Sequence, residues 1–253
     1  MRVATLYDIH ANLPALEAVL AEIRRENVDR IVVGGDVLPG PMARETMECL
    51  LHLDIPADFI FIQGNGDREV LAQMSGVETD WFRTAHESWR VPVRWSAQQL
   101  NAGHRRILEG WPLTFRMGIP GLGEVLFCHA TPRSDTEVFT NLTPEDVLVP
   151  IFAGLQVQVV VCGHTHMQFD RMIAGTRVVN AGSVGMPFGK PGAHWLLLGP
   201  EVELRHSAYD FARAAQRIRG TAYPQAEEFA ARNVLQPPPA EETLAAFTRA
   251  GLK

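Results

Sequence analysis

The sequence predicts an α/β protein with a parallel sheet, and three observations carry that expectation. Short apolar runs at residues 2–7, 30–33 and 59–62 read as strands, and the stretches between them have helical periodicity. This is a β-α-β-α-β rhythm. Each run ends in a polar or glycine-rich cluster: Asp8-Ile9-His10-Ala11-Asn12, Gly34-Gly35-Asp36 and Gly64-Asn65-Gly66-Asp67. In open α/β sheets ligands collect at that end of the strands. The 253 residues, 46% hydrophobic and 21% charged, suit one substantial core rather than a disordered or fibrous chain.

In the first helix Leu16, Val19, Leu20 and Ile23 recur at i, i+3, i+4 and i+7, Pro14 sits in the first turn and Asn12 is placed to cap it. Residues 43–53 read as the second helix. From about residue 68 to 120 the rhythm breaks. That stretch holds Trp81, Trp89, Trp95 and Trp111, and its clearest helix spans 96–109 with Leu100, Ile107 and Leu108 apolar. We expect a helical insertion over one sheet edge, its aromatics forming a small local core rather than a substrate pocket.

Strands return at 113–119 and 125–128, the latter ending at His129, and residues 144–153 read as helix. The run Val159-Val160-Val161-Cys162 leads into Gly163-His164-Thr165-His166. Residues 169–173 and 177–179 form a hairpin through Ala174-Gly175-Thr176. A tight glycine-rich connection covers 180–187, and strands follow at 195–198 and 202–204. The tail, about 208–253, reads as helical: Phe211, Ala214, Ala215 and Ile218 share one face, a second segment spans 225–234, and a short helix at 241–249 follows Pro237-Pro238-Pro239. The whole of 1–253 reads as one domain, its tail docking on its own body or on another copy, so a homo-oligomer is allowed.

A formal net charge of −6 argues against an extended nucleic-acid surface. Cys49, Cys128 and Cys162 lie in apolar surroundings without paired spacing, which suits a reducing compartment. With no membrane-length apolar run and no secretory leader pattern, the expectation is a cytoplasmic chain with no membrane partner. Cys128 and Cys162, each before a histidine-bearing segment, should point into the core.

The strand ends together supply Asp8, His10, Asp36, Asn65, His129, His164 and His166. Each block has a plain structural reading: Asp8 as a helix cap, Gly34-Gly35-Asp36 as a turn, Asn65 in a left-handed turn, His129 as a bonded core histidine. Five such blocks, each after an apolar run, point instead to metal. Two carboxylates, an amide and four imidazoles are too many for one ion and too rich in nitrogen for Mg²⁺ or Ca²⁺. Two divalent transition ions fit, with Mn²⁺, Fe²⁺, Zn²⁺, Co²⁺ and Ni²⁺ all open. A pair about 3.5–4 Å apart needs a bridging carboxylate and lowers the pKa of a bridging water. Asp36, between the first and third strand ends, is the expected bridge.

Asp-x-His, Gly-Asp, Gly-Asn, His and Gly-His-x-His, in this order, resemble the calcineurin-like metallophosphoesterase superfamily. The segment Asp8-Ile9-His10-Ala11-Asn12-Leu13-Pro14-Ala15-Leu16, the Gly64-Asn65-Gly66-Asp67 cluster and residues 180–187 are similar to its small bacterial and archaeal phosphodiesterase branch. The resemblance spans roughly residues 1–207 and implies a four-layered α/β/β/α sandwich with two mixed β-sheets, plus the helical insertion and C-terminal tail. It assigns Asp8, His10, Asp36 and His166 to one ion, and Asp36, Asn65, His129 and His164 to the other. The activity implied is hydrolysis of a small phosphate ester, a cyclic nucleotide being one candidate, by attack of a metal-bridging hydroxide.

A phosphodiesterase is expected first, because many superfamily members carry a histidine directly after the Gly-Asn pair, where this chain has Gly66. Asp36, Asn65, His129 and Asp67 are the candidate catalytic residues, with Asp67 or solvent as general acid. Asn12, Arg133 and Ser183 are the candidate substrate-binding residues. Ala11 stands where glycine is usual and Tyr7 where a small residue is usual, placed to alter metal affinity or narrow the pocket. His52, His86, His104, His194 and His206 match no motif. The contrasting readings are a phosphomonoesterase of the same fold and a non-catalytic scaffold, which is free to lose the ligands this chain retains.

Overall fold

The computed structural model describes residues 1–252. In chain order its first half contains β1 Val3–Leu6, α1 Leu13–Glu26, β2 Arg30–Val33, α2 Ala43–Leu51, β3 Asp58–Phe61, α3 Asn65–Met74, α4 Asp80–Thr84, α5 Glu87–Gln99 and α6 Ala102–Glu109. There follow β4 Thr114–Ile119, β5 Gly123–Cys128, α7 Glu145–Phe152, β6 Val159–Cys162, β7 Phe169–Ile173, β8 Thr176–Asn180, β9 Ala193–Leu198 and β10 Val202–Ser207. The tail is α8 Phe211–Arg219, α9 Ala226–Phe229, a π-helical turn Ala230–Leu235 and α10 Ala240–Ala250.

The strands form two five-stranded sheets, ordered β10-β9-β1-β2-β3 and β4-β5-β6-β8-β7. In the first, β1, β2 and β3 run parallel, β9 is antiparallel to β1 and β10 is antiparallel to β9; in the second, β5, β6 and β8 run parallel between antiparallel β4 and β7. Successive strand residues face opposite ways, so β1 sends Val3 inward and Ala4 and Leu6 outward. The inward faces, with Val32, Phe127, Val161, Val179 and Leu196, pack into one inter-sheet core. The outer face of the first sheet packs on α1 and α2 through Leu16, Leu20, Ile31 and Met47. That of the second takes α7 through Leu148, Ile151 and Phe152. The result is the four-layered α/β/β/α sandwich. Strands covered on both faces read as unbroken apolar runs, which is why they were visible in the sequence.

The insertion lies over the β3 edge. Gln63 donates its backbone N–H to the Pro112 carbonyl at 2.9 Å, and Phe61 stacks on Trp111 at 5.0 Å. Three details of the expectation are corrected. The predicted 96–109 helix is two helices, because the Asn101 side chain accepts from the N–H groups of Gly103 and His104 and starts α6 afresh. Residues 114–119 leave the insertion to become an edge strand of the second sheet. The tryptophans do not share a local core: Trp111 joins the main core, Trp95 packs against the tail, and Trp81 and Trp89 are 41% and 62% exposed.

The tail folds back on its own body around Ala214, Ala215, Ile218, Tyr223 and Phe229. Arg217 pairs with Glu17 of α1, and the Gly189 N–H donates to the Pro238 carbonyl at 2.9 Å. The cysteines are free, with Cys128 and Cys162 buried. Among the described residues no helix is long and apolar enough to cross a membrane.

Candidate metal centre

The polar clusters after the parallel strands meet on one shelf between the sheets. Beyond β1 and β2 the chain continues to zip: the N–H groups of Asp8 and His10 donate to the carbonyls of Gly35 and Asp36 at 3.1 and 2.9 Å. Asp8, His10, Asp36, His164 and His166 all have left-handed backbone, with φ of 53°, 46°, 50°, 66° and 59°. Each such non-glycine residue costs about 1–3 kcal/mol and persists only where its surroundings fix it. Here strain turns side chains off the strand ends toward a common point.

Six side chains form two groups, Asp8, His10 and His166 in one, Asp36, His129 and His164 in the other. His166 Nε2 lies 3.2 Å from Asp8 Oδ1, and His129 Nε2 lies 3.5 Å from Asp36 Oδ1. Asp36 spans the groups, since its other oxygen, Oδ2, is 3.7 Å from His10 Nε2. The Asn65 amide closes the second group: its oxygen faces His164 Nδ1 at 3.0 Å and His129 Nε2 at 3.1 Å.

Backbone carbonyls fix the tautomers. Nδ1 of His10, His129 and His166 lies against the carbonyls of Pro39, Gly34 and Met186 at 3.3, 3.1 and 2.7 Å, while His164 uses Nε2 against Thr136 O at 3.2 Å. A ring nitrogen donating outward leaves the opposite nitrogen with a lone pair aimed inward. Those tautomers follow from the bonding network. The consequence is a set of acceptors facing acceptors. His10 Nε2 and His166 Nε2 stand 3.2 Å apart, and Asp8 Oδ1 is buried without a hydrogen-bond partner. The Asn65 amide would need to be rotated to find donors and acceptors of its own. Cations between these atoms satisfy them all, so the donor set fits bound metal.

Charge agrees. Burial works against ionisation of Asp36, yet His129 and His10 hold its carboxyl far below the usual carboxylate range. Burial likewise opposes Asp8, and His166 holds it low. His129 is pulled down by burial but raised by Asp36 and Asp8 to about 10, whereas burial and the His129 charge push His164 down to about 4.

Other sequence-predicted residues lie elsewhere in the chemistry. Asp67 is buried, its two oxygens accepting from the backbone N–H groups of Leu38 and Gly64 at 3.0 Å each, so it braces the loops. Burial and the neighbouring Asp36 raise its carboxyl to about 8. Asn12 is a buried cap, accepting from Ala15 N–H and donating to Gly185 O. Ser183 donates to Asp8 O and accepts from Met186 N–H, both at 2.7 Å. Arg133 is an exposed residue paired with Glu137. Asp67, Asn12 and Ser183 are thus bonded within the fold, and Arg133 stands at the surface. Tyr7 does not narrow the pocket: its ring drops into the inter-sheet core and its hydroxyl donates to Val161 O at 3.1 Å. A Cβ at Gly163 would lie 2.6 Å from that ring and 2.4 Å from Asp8 Oδ2, so the His-bearing turn needs glycine there. Gly66 is equally constrained, since a Cβ would stand 2.4 Å from Leu38 O.

Residues given no individual role by the sequence complete the shelf. Asn180 donates to Gly163 O at 2.6 Å and to Thr165 Oγ1 at 3.1 Å, stapling the turn between His164 and His166. Arg68 pairs with Asp135, whose carbonyl lies 3.0 Å from the Asn65 amide. In the sequence Asn180 opens the 180–187 segment that carries part of the family resemblance, with nothing there to show which group it bonds.

The description "calcineurin-like phosphoesterase superfamily domain" matches residues 1–201. An uncharacterized protein of Methanocaldococcus jannaschii is 26% identical over 243 residues, which cover 88% of this chain and 94% of that protein. The crystal structure of a metallophosphoesterase from Sphaerobacter thermophilus is 26% identical with a TM-score of 0.69, covering 92% of this chain and 99% of its own. That of a hypothetical protein from Pyrococcus horikoshii OT3 has a TM-score of 0.78 at 20% identity, covering 94% and 99%, and speaks for the fold alone. With the family match covering residues 1–201, which include β1 to β9 and every residue of the two ligand groups, this chain belongs to the calcineurin-like phosphoesterase superfamily.

Proposed function

We propose that this protein is a dinuclear metal-dependent phosphoesterase that hydrolyses a small phosphodiester. The observation that carries the reading is Asp36, one carboxylate oxygen 3.5 Å from His129 in one ligand group and the other 3.7 Å from His10 in the second. That is the position a bridging ligand occupies. When bound, two such ions supply an activated water and neutralise charge on the phosphoryl group.

The chain's own residues do the rest. Asp8, His10 and His166 hold one ion, and Asn65, His129 and His164 the other, with Asp36 common to both. Backbone carbonyls on the outer ring nitrogens fix the tautomer and orientation of the imidazoles, which raises their quality as ligands. Gly66 donates its N–H to Asp36 Oδ1 at 2.7 Å and so fixes the bridge. It also bears on the ester preference. A side chain at residue 66 collides with Leu38 O, so no group projects from there to protonate a poor leaving group. With Asp67 buried, protonation falls to solvent, which favours diesters with good leaving groups.

Mn²⁺ is the first metal to try, and a cyclic nucleotide one natural candidate. The test is hydrolysis of bis(p-nitrophenyl) phosphate against p-nitrophenyl phosphate by Mn²⁺-loaded protein, followed by 2′,3′- and 3′,5′-cyclic nucleotides. Faster diester turnover is expected. A protein carrying two ions and inert toward every ester would refute the reading.

A further inference from the structure

Beside His166 lies a cavity of about 240 Å³ whose far wall is the C-terminal helix. Phe188 stacks on the His166 ring at 5.5 Å with 21° between planes, and Phe247 of α10 meets Phe188 edge-on at 6.1 Å. Ala240 and Leu244 of the same helix line the cavity, with Phe169 opposite. The helix is held at both ends. Pro238 O accepts from Gly189 N–H, and Leu252 packs against the apolar cluster outside the second sheet.

The lining selects by charge and size. No lysine, arginine, aspartate or glutamate contributes to it. Gln168 is spent inside the fold: its amide nitrogen donates to the carbonyls of Ala181, Trp195 and Arg205, and its oxygen faces His194, while Asn141 stands exposed at the rim. Thr140 Oγ1 accepts from Leu142 N–H. A second phosphate or a carboxylate would therefore meet no lysine or arginine in the slot, at a desolvation cost. An apolar cavity of about 150 Å³ already takes benzene, so one ring fits here.

We propose that this slot binds an uncharged, ring-sized ester group of the substrate, making α10 part of the specificity site. The inference rests on the phosphoesterase reading for what the ring is attached to, and its test is independent of turnover. Binding of phenylphosphonate and methylphosphonate to the Mn²⁺-loaded full chain is measured by calorimetry. Phenylphosphonate should bind about tenfold tighter, the effect of burying most of one ring. Leu244→Trp fills the slot and should abolish the preference. Leu244→Ala enlarges it and should shift preference toward 1-naphthylphosphonate, a gain that misfolding does not produce. Equal or absent binding of the two phosphonates, or a preference untouched by both variants, overturns the proposal. Ring preference without hydrolysis of any ester refutes the phosphoesterase reading and leaves the slot standing; hydrolysis without ring preference does the reverse.

Discussion

The group of Asp8, His10 and His166 and the group of Asp36, His129 and His164 use the same kinds of donor atom, yet they are held in different ways. The first is tied into buried backbone. Met186, whose carbonyl orients His166, is fixed through Ser183 to Asp8 O, and Val184 and Gly185 donate to Tyr7 O and Asp8 O at 2.9 and 3.0 Å. The second leans on a connection between β5 and α7. Thr136 O orients His164, Asp135 O faces the Asn65 amide, and the partly exposed Arg68–Asp135 pair secures that segment to α3. A core-braced pocket beside a loop-braced one implies unequal ion retention, the second group being the one that empties first.

The largest effect should come from removing what the two share. Asp36→Ala is expected to lower kcat/KM on the order of a thousandfold and to reduce retention of both ions. Metal content with steady-state kinetics checks this, and near-normal turnover would remove Asp36 as the bridge. The asymmetry itself is probed by Arg68→Ala or Asp135→Ala. Loss of an outer-shell partner weakens a metal site by about 10- to 100-fold, and calorimetric titration should show one affinity falling while the other holds. Equal weakening of both would break the comparison.

A third, smaller effect is protonic. With His129 raised from 6.5 to about 10 in the metal-free protein, its imidazolium paired with Asp36 stabilises the fold fully below about pH 6.5 and progressively less up to about pH 10. An entering cation must displace that proton. Apparent affinity at the second group should therefore rise by up to about tenfold per pH unit between pH 7 and 9, with proton release on loading. A pH-independent affinity would contradict the assignment. The smallest effect is expected at Arg133, whose exposed pair with Glu137 lies apart from both groups; Arg133→Ala should change kcat/KM by less than about twofold.

What was legible in the sequence had a one-residue signature. Apolar runs closed by Asp8, Asp36 or His129 announce both strand and ligand, because burial on both faces removes polar residues until the chain reaches the shelf. The orienting shell had no such signature. Gly34, Pro39, Thr136 and Met186 act through carbonyl oxygens, which every residue possesses. Asp67, Asn12 and Ser183 read as site residues because a buried side chain that braces a loop and one that meets a substrate have the same composition and the same neighbours in sequence. Their backbone partners decide between the two, and those exist only in three dimensions.

The central claim, two ions sharing Asp36, is tested most directly by anomalous diffraction from crystals grown with Mn²⁺. The expected map has two peaks per chain about 3.5–4 Å apart, one between Asp8, His10 and His166, the other between Asn65, His129 and His164, and Asp36 touching both. A single peak, or two that do not share Asp36, would contradict it.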